Sequence, residues 1–447
     1  MEFDPRRDYS RYMWAPYTQM GDLAEDEPVV AVGGSGARIT DSLGREFIDG
    51  HAALWLANVG FGRSEIVDAA EEQMRRLSWF PSFGGMSNDT AIRLAARLVQ
   101  LTEGEGMSRV FFSSGGSEAN ETALKIARQY WKLRGRPGKF KVIAREKAYH
   151  GVTFGALSAT GVTANRRLFE PLVPGFRHIP PPHCYRCPYG LKYPECNLAC
   201  AEELERTIAF ESPDTVAAFI AEPVMGAGGV IIPPEGYLER VAEICRRNEV
   251  LFIADEVITG FGRTGEMFGV RHWGVKPDMM VFAKGLTSGY LPLGATLTTE
   301  EIFEVCLGRW GEGRELRHGT TYSGHPVACA AALENIRIIE EEGLAERSRE
   351  MGEYMLRKLE ELRSLRHVGD VAGIGLLARL ELVKDKETRE PFPPGELTGL
   401  RVNRSMLRRG VILRPLGDVM SFSPPLVIER DEIDRIVSAL AESIGEI

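Results

Sequence analysis

The chain has 447 residues and a formal net charge of −9, with 44% hydrophobic and 26% charged residues. That composition is ordinary for a folded globular protein and excludes a disordered, collagen-like or small disulfide-stapled chain. The acidic balance argues against a nucleic-acid platform, which carries a basic face, and the length alone suggests about three domains.

Met1–Tyr12 is charged and has no apolar h-region, and no run of about 18 apolar residues follows anywhere. The expectation is a cytoplasmic protein with no membrane partner. Residues 29–60 carry short strand signals, Gly-rich turns and the aromatic segment Leu54-Trp55-Leu56. Arg109–Ser113 is a short apolar run, followed by a Gly turn and a helix from Ser117. Ala119, Ala123, Ile126, Ala127 and Tyr130 form the buried stripe of that helix. Further apolar runs are Lys141–Ala144, Val216–Ala221, Val250–Ala254 and Met279–Ala283, with helical stretches such as Tyr237–Asn248 between them. Strands alternating with helices predict an α/β domain with a mostly parallel sheet.

Pro171–Cys200 breaks the alternation. It holds seven Pro and four Cys and reads as an inserted loop, not a core element. Cys184, Cys187, Cys196 and Cys200 form a four-thiolate set of the kind that binds zinc or an iron–sulfur cluster. The same four residues would also serve as free thiols packing as small apolar groups. From Ala328 a charged helical stretch runs to Arg363, followed by a strand-like run Ile374–Val383, a helix Gly399–Arg409 and a final helix Arg430–Ile447. These predict an α+β domain after the α/β one. The boundaries expected are 1–60 for an N-terminal segment that joins the smaller domain, 61–330 for the large domain, and 331–447 for the small one.

Three local features point to one chemistry. Val250–Ala254 ends in Asp255-Glu256-Val257, and ligands of open α/β sheets sit beyond strand ends. A lone acid there also suits a cap or turn. Lys284 follows Met279–Ala283 directly, and a partly desolvated Lys there can bond covalently to an aldehyde, or simply emerge at the sheet end. Ser113-Ser114-Gly115-Gly116-Ser117 joins a strand to a helix, which suits a phosphate as well as an ordinary helix start. Together they suggest an aldehyde-bearing, phosphorylated cofactor with a ring nitrogen, which describes pyridoxal phosphate. Gly260-Phe261-Gly262-Arg263-Thr264-Gly265 matches the dinucleotide pattern, but no helix begins at it, so a nicotinamide dehydrogenase is disfavoured.

The chain resembles the class III aminotransferases, whose motifs occur in order over nearly its whole length. The matching segments are Ser114–Asn120, Asp255–Gly265, Ala283-Lys284-Gly285 and His318–Pro326. The resemblance implies a fold-type-I architecture and the following roles. Lys284 would hold the cofactor and move the substrate proton. Asp255 would pair with the pyridine nitrogen. Val257 and Tyr149 would cover the two ring faces. Gly115 and Gly116 would hold the phosphate, although the family often has Asn-Ser-Gly-Ser where this chain has Ser114-Gly115-Gly116-Ser117. Thr321 would reach the phosphate of a neighbouring subunit, implying a homodimer with shared sites, whether or not dimers pair into tetramers. Glu222 would lie near the cofactor. Arg414 resembles a mobile Arg that pairs with a substrate carboxylate, and Trp55 would line the substrate pocket. Ala227 stands where the ornithine and 4-aminobutyrate branches carry Glu. That combination resembles the branch that takes primary amines or ω-amino acids as donors and pyruvate as acceptor, in a ping-pong reaction. Racemases, decarboxylases and an aminomutase of the same class are the rival reactions.

Overall fold

In the computed structural model, residues 3–25 and 28–447 are described. Three short strands open the fold: β1 (Ala31–Ser35), β2 (Arg38–Asp41) and β3 (Glu46–Asp49). The next seven are β4 (Met107–Ser113), β5 (Lys141–Arg145), β6 (Phe176–Ile179), β7 (Val216–Ala221), β8 (Leu251–Asp255), β9 (Met279–Phe282) and β10 (Gly294–Thr299). The last five are β11 (Val368–Ile374), β12 (Leu377–Leu382), β13 (Val411–Ile412), β14 (Arg414–Leu416) and β15 (Val419–Phe422).

The central sheet has the order β4-β10-β9-β8-β7-β5-β6. Its neighbours run parallel except β10, which is antiparallel to both β4 and β9. β7 and β8 are buried along their whole length, as expected of strands covered by helices on both faces. Helix Gly116–Leu133 lays the predicted stripe of Ala119, Ala123, Ile126, Ala127 and Tyr130 against this sheet.

Two readings of the sequence are corrected here. Phe176–Ile179, inside the supposed insertion, is the edge strand β6, paired parallel to β5. The prolines on either side hid it, because Pro demotes a strand reading. The four cysteines of that segment are free thiols. Among the described residues no group of three His, Cys, Asp or Glu side chains is placed to hold a metal ion, so the zinc or iron–sulfur site expected at Cys184, Cys187, Cys196 and Cys200 is not formed. Cys184 is exposed, whereas Cys200 packs against the apolar cluster of Leu204, Phe219 and Tyr237. Burial, with Cys184 and Cys196 nearby, pushes the Cys200 thiol up to about 12, so it is a neutral thiol near pH 7.

The long helical stretch after Ala328 is two helices, Pro326–Glu341 and Leu344–Glu361. Gly343 between them has φ +60°, which only glycine adopts readily. The strand-like run at Ile374–Val383 holds β12 and the turn at Gly375, φ +54°, that joins it to β11 in a tight hairpin. β11-β12-β15-β14 form an antiparallel sheet, and β13 pairs parallel with β3. The first strands of the chain are thus completed by a strand from its end. Among the described residues no helix is long and apolar enough to cross a membrane.

The Gly260–Gly265 stretch forms turns, not a helix start. Arg263 within it is fully buried. It donates to the carbonyls of Leu376 and Pro424 and to Asn58 Oδ1 at 2.8 Å. A buried guanidinium needs such partners to offset its lost hydration, and here they come from the N-terminal and C-terminal parts of the chain.

Candidate active site

Asp255 is the last residue of β8 and is buried. Its Oδ2 accepts hydrogen bonds from Asn120 Nδ2 and His150 Nδ1, both at 2.8 Å, and its Oδ1 accepts from the Val257 amide at 3.1 Å. Three donors fix the plane of the carboxylate. The sequence reading gave Asn120 and His150 no role. Asn120 ends the Ser114–Asn120 motif and His150 follows Tyr149, but their meeting at Asp255 is a tertiary event.

β9 lies beside β8 with Asp255 opposite Val281, so Lys284 leaves the sheet one turn beyond that pair. Its backbone has φ +46°, a costly conformation for a residue with a side chain. Burial pulls the pKa of the Lys284 ammonium down to about 8, while the charges of Asp255 and Glu222 hold it up and Arg414 lowers it further. A useful fraction of neutral amine is therefore present near physiological pH.

Gly116 opens its helix, whose first N–H groups have no intrahelical acceptor. A Cβ at Gly116 would press on Val257 Cγ1 at 3.1 Å, so a glycine lets the helix start and Val257 approach closely. Gly115 precedes it in extended backbone. Glu222 follows β7, is buried, and accepts from the amides of Tyr149 at 3.1 Å and Gly226 at 2.9 Å. Burial raises its pKa, partly offset by the nearby His150. The Tyr149 hydroxyl is raised by burial and by its interactions with Tyr17, a residue the sequence reading missed. No motif marks Tyr17, because only the path of the N-terminal segment brings it in.

Trp55 is buried, with Lys284 Nζ 5.1 Å and the Arg414 guanidinium 5.3 Å from its ring centroid. Ala227 belongs to the apolar cluster around Trp55, Val224 and Val230. Among the described residues no carboxylate pairs with Arg414, whose pKa burial lowers while Tyr17 and Tyr149 raise it. Thr321 is exposed on the turn before Pro326, and among the described residues no hydrogen bond ties it to these groups. A buried amine, a fixed carboxylate at a strand end and a glycine-opened helix start thus share one end of the central sheet.

The sequence from residue 22 to 444 matches the family model for aminotransferase class-III. The chain belongs to that family. It is a pyridoxal-phosphate-dependent aminotransferase. It is similar to an adenosylmethionine-8-amino-7-oxononanoate aminotransferase of Geobacter sulfurreducens, at 42% identity over 98% of this chain and 97% of that one. It is similar to a putrescine–pyruvate aminotransferase of Pseudomonas aeruginosa, at 43% identity over 96% of this chain and 93% of that one. Among solved structures it is similar to an amine transaminase from an uncultivated Pseudomonas species with PLP bound, at 41% identity and a TM-score of 0.95, covering 97% and 98% of the two chains.

The aminotransferase's own residues fit the cofactor. Gly116 keeps a Cβ away from Val257 at the helix start, where N–H groups are free for a phosphate. The buried Asp255 offers a hydrogen-bonded carboxylate to a protonated ring nitrogen, and Lys284 offers an amine of lowered basicity.

Proposed function

We propose that this aminotransferase takes its amino group from a primary amine or an ω-amino acid and passes it to pyruvate. The observation that carries this reading is the state of Arg414. It lies over Trp55 with no carboxylate partner among the described residues, beside the cluster where Ala227 replaces a charged side chain. An unpaired guanidinium is available for a substrate carboxylate, which it binds through two parallel hydrogen bonds. A donor without a carboxylate meets the apolar face of Trp55 and Ala227 instead. The relatives named for putrescine with pyruvate and for amines support the same assignment.

Bound pyridoxal phosphate supplies an electron sink for the carbon that carries the amino group. Gly115 and Gly116 would hold its phosphate, with Thr321 of a second copy of this chain completing the grip. Asp255 would keep the ring nitrogen protonated, and Val257 and Tyr149 would flank the ring. Glu222 would fix the Tyr149 segment through the amide it already holds. Lys284 would move a proton between the substrate carbon and the cofactor carbon within each half-reaction, as base and then acid, in opposite directions in the two halves. The reading implies a homodimer of shared sites. The domain division 1–60, 61–330 and 331–447 belongs to this proposal, supported by the pairing of β3 with β13. A cytoplasmic setting does too, supported by seven free cysteines, which suit a reducing compartment.

A donor and acceptor screen tests the assignment. Pyruvate should exceed 2-oxoglutarate in kcat/KM by about tenfold or more, equivalent to about 1.4 kcal/mol; a clear preference for 2-oxoglutarate would overturn the acceptor. Arg414→Ala should raise KM for pyruvate about 30-fold or more, since losing a buried hydrogen-bonded charge pair costs upward of about 2 kcal/mol. The half-reaction with a simple monoamine should change about threefold at most. Equal losses for both substrates would remove Arg414 from carboxylate recognition.

A further inference from the structure

The segment that carries Trp55 is unusual in its backbone. Ala52, Ala53 and Trp55 have φ of +43°, +56° and +58°, where side chains are rarely found. Three such residues in four positions persist only when the surroundings dictate them. Two groups do so here. The Asp49 carboxylate, buried at the end of β3, accepts from the His51 amide at 2.9 Å and from the Ala53 amide. The His51 ring lies edge-on to the Trp55 indole, with centroids 4.2 Å apart and planes at 64°.

His51 is itself clamped. Its Nδ1 is 3.3 Å from Ser423 Oγ, which also donates to the His51 carbonyl at 3.2 Å. Burial holds the imidazole well below its ordinary pKa, and the charges of Arg414, Lys284 and Arg263 push the same way. His51 is therefore neutral and acts by shape. The Trp55 Nε1 is buried with no hydrogen-bond partner among the described residues. No hydrogen bond pins the indole, so its tilt is set by what packs against it, His51 on its edge and the cations of Lys284 and Arg414 over its ring.

We propose that His51 is a positioning residue that fixes the tilt of Trp55 and so decides how bulky an amine donor the site admits. The inference rests on the reading of Trp55 as a wall of the substrate pocket. A wall defined by one aromatic edge is narrow in its tolerance, because a pocket's size discrimination amounts to about 10- to 200-fold per small group. Ser423, beside β15, links that wall to the sheet whose strand β14 begins with Arg414. The size gate and the carboxylate-binding Arg would then share one support.

A double-mutant cycle on the holoenzyme tests this. The reading is the ratio of kcat/KM for 1-phenylethylamine to that for 2-aminopropane. Trp55→Ala should raise the ratio about tenfold or more. His51→Ala should raise it about fivefold, chiefly through KM of the bulkier donor, and should add nothing in the Trp55→Ala background. His51→Phe, which keeps a ring edge, should stay within about twofold of the parent ratio. A crystal structure of His51→Ala should show the indole turned. Should His51→Ala not fold, Ser423→Ala frees the same ring and should move the ratio in the same direction. An unchanged ratio in His51→Ala, or an equal change with Trp55 already removed, overturns the inference alone. An unchanged ratio in Trp55→Ala overturns the pocket-wall reading and the inference with it.

Discussion

Lys284→Ala is expected to lose amino-transfer turnover by at least about 10⁴-fold, the upper range for removing a positioned general acid–base. No neighbour can replace it. Lys284 is the amine that β9 delivers to the site, and the other cation at Trp55, Arg414, keeps its proton at any working pH. Steady-state assay with an amine and pyruvate reads the loss, and substantial multiple-turnover transamination by the variant would sink the assignment. A second measurement avoids activity altogether. Because burial lowers the Lys284 pKa to about 8 from its ordinary 10.5, the folded apoprotein is penalised for that charge below about pH 8. The penalty falls as pH rises from the folded value toward the unfolded one, since the unfolded chain binds the extra proton in that window. Lys284→Met should therefore raise the thermal midpoint of the cofactor-free protein near pH 7, and the gain should shrink as pH passes from about 8 toward 10.5. A gain that grows with pH would contradict the burial of this amine.

Asp255→Asn should lower kcat by about 10²- to 10³-fold, the cost typical of removing a preorganised electrostatic partner in a closed site. The substitution is nearly isosteric, so the loss would be electrostatic. Both oxygens of Asp255 accept hydrogen bonds, from Asn120, His150 and the Val257 amide. An amide must turn its NH2 toward one of these donors or toward the ring nitrogen, and either choice sets donor against donor. Cofactor affinity, read by absorbance titration, should weaken alongside kcat. His150→Phe should cost less than Asp255→Asn, because Asn120 and the Val257 amide still hold the carboxylate. A kcat for Asp255→Asn within about threefold of the parent enzyme would show that no charge is needed at that strand end.

Several parts of this site were legible because they are local. Val250–Ala254 and Met279–Ala283 are unbroken apolar runs, and unbroken runs are what strands buried on both faces require. Asp255 and Lys284 are then placed by position alone. Gly115 and Gly116 were legible because a strand-to-helix turn needs few residues and a narrow set of them. Other parts depend on distance along the chain. β10 reads as a modest Thr-rich segment, and its antiparallel place between β4 and β9 follows from pairings far apart in sequence. Tyr17 and His51 acquire their meaning only when the N-terminal segment docks. The Cys184–Cys200 spacing misled because spacing alone does not set the mutual geometry of four thiols, which a metal site requires.

The pairing of β3 with β13 also bears on how the enzyme is made. Ile48 is synthesised early, and its partner Val411 almost at the end. The strands that place Gly115, Asp255 and Lys284 all leave the ribosome before β13 does. Long-range pairings are slow, since the chain between them must first be ordered. The strand ends that carry these residues are thus made before the strand that completes the N-terminal sheet. The segment of Trp55, which follows β3 and is held by Ser423 through His51, therefore waits on the last part of the chain.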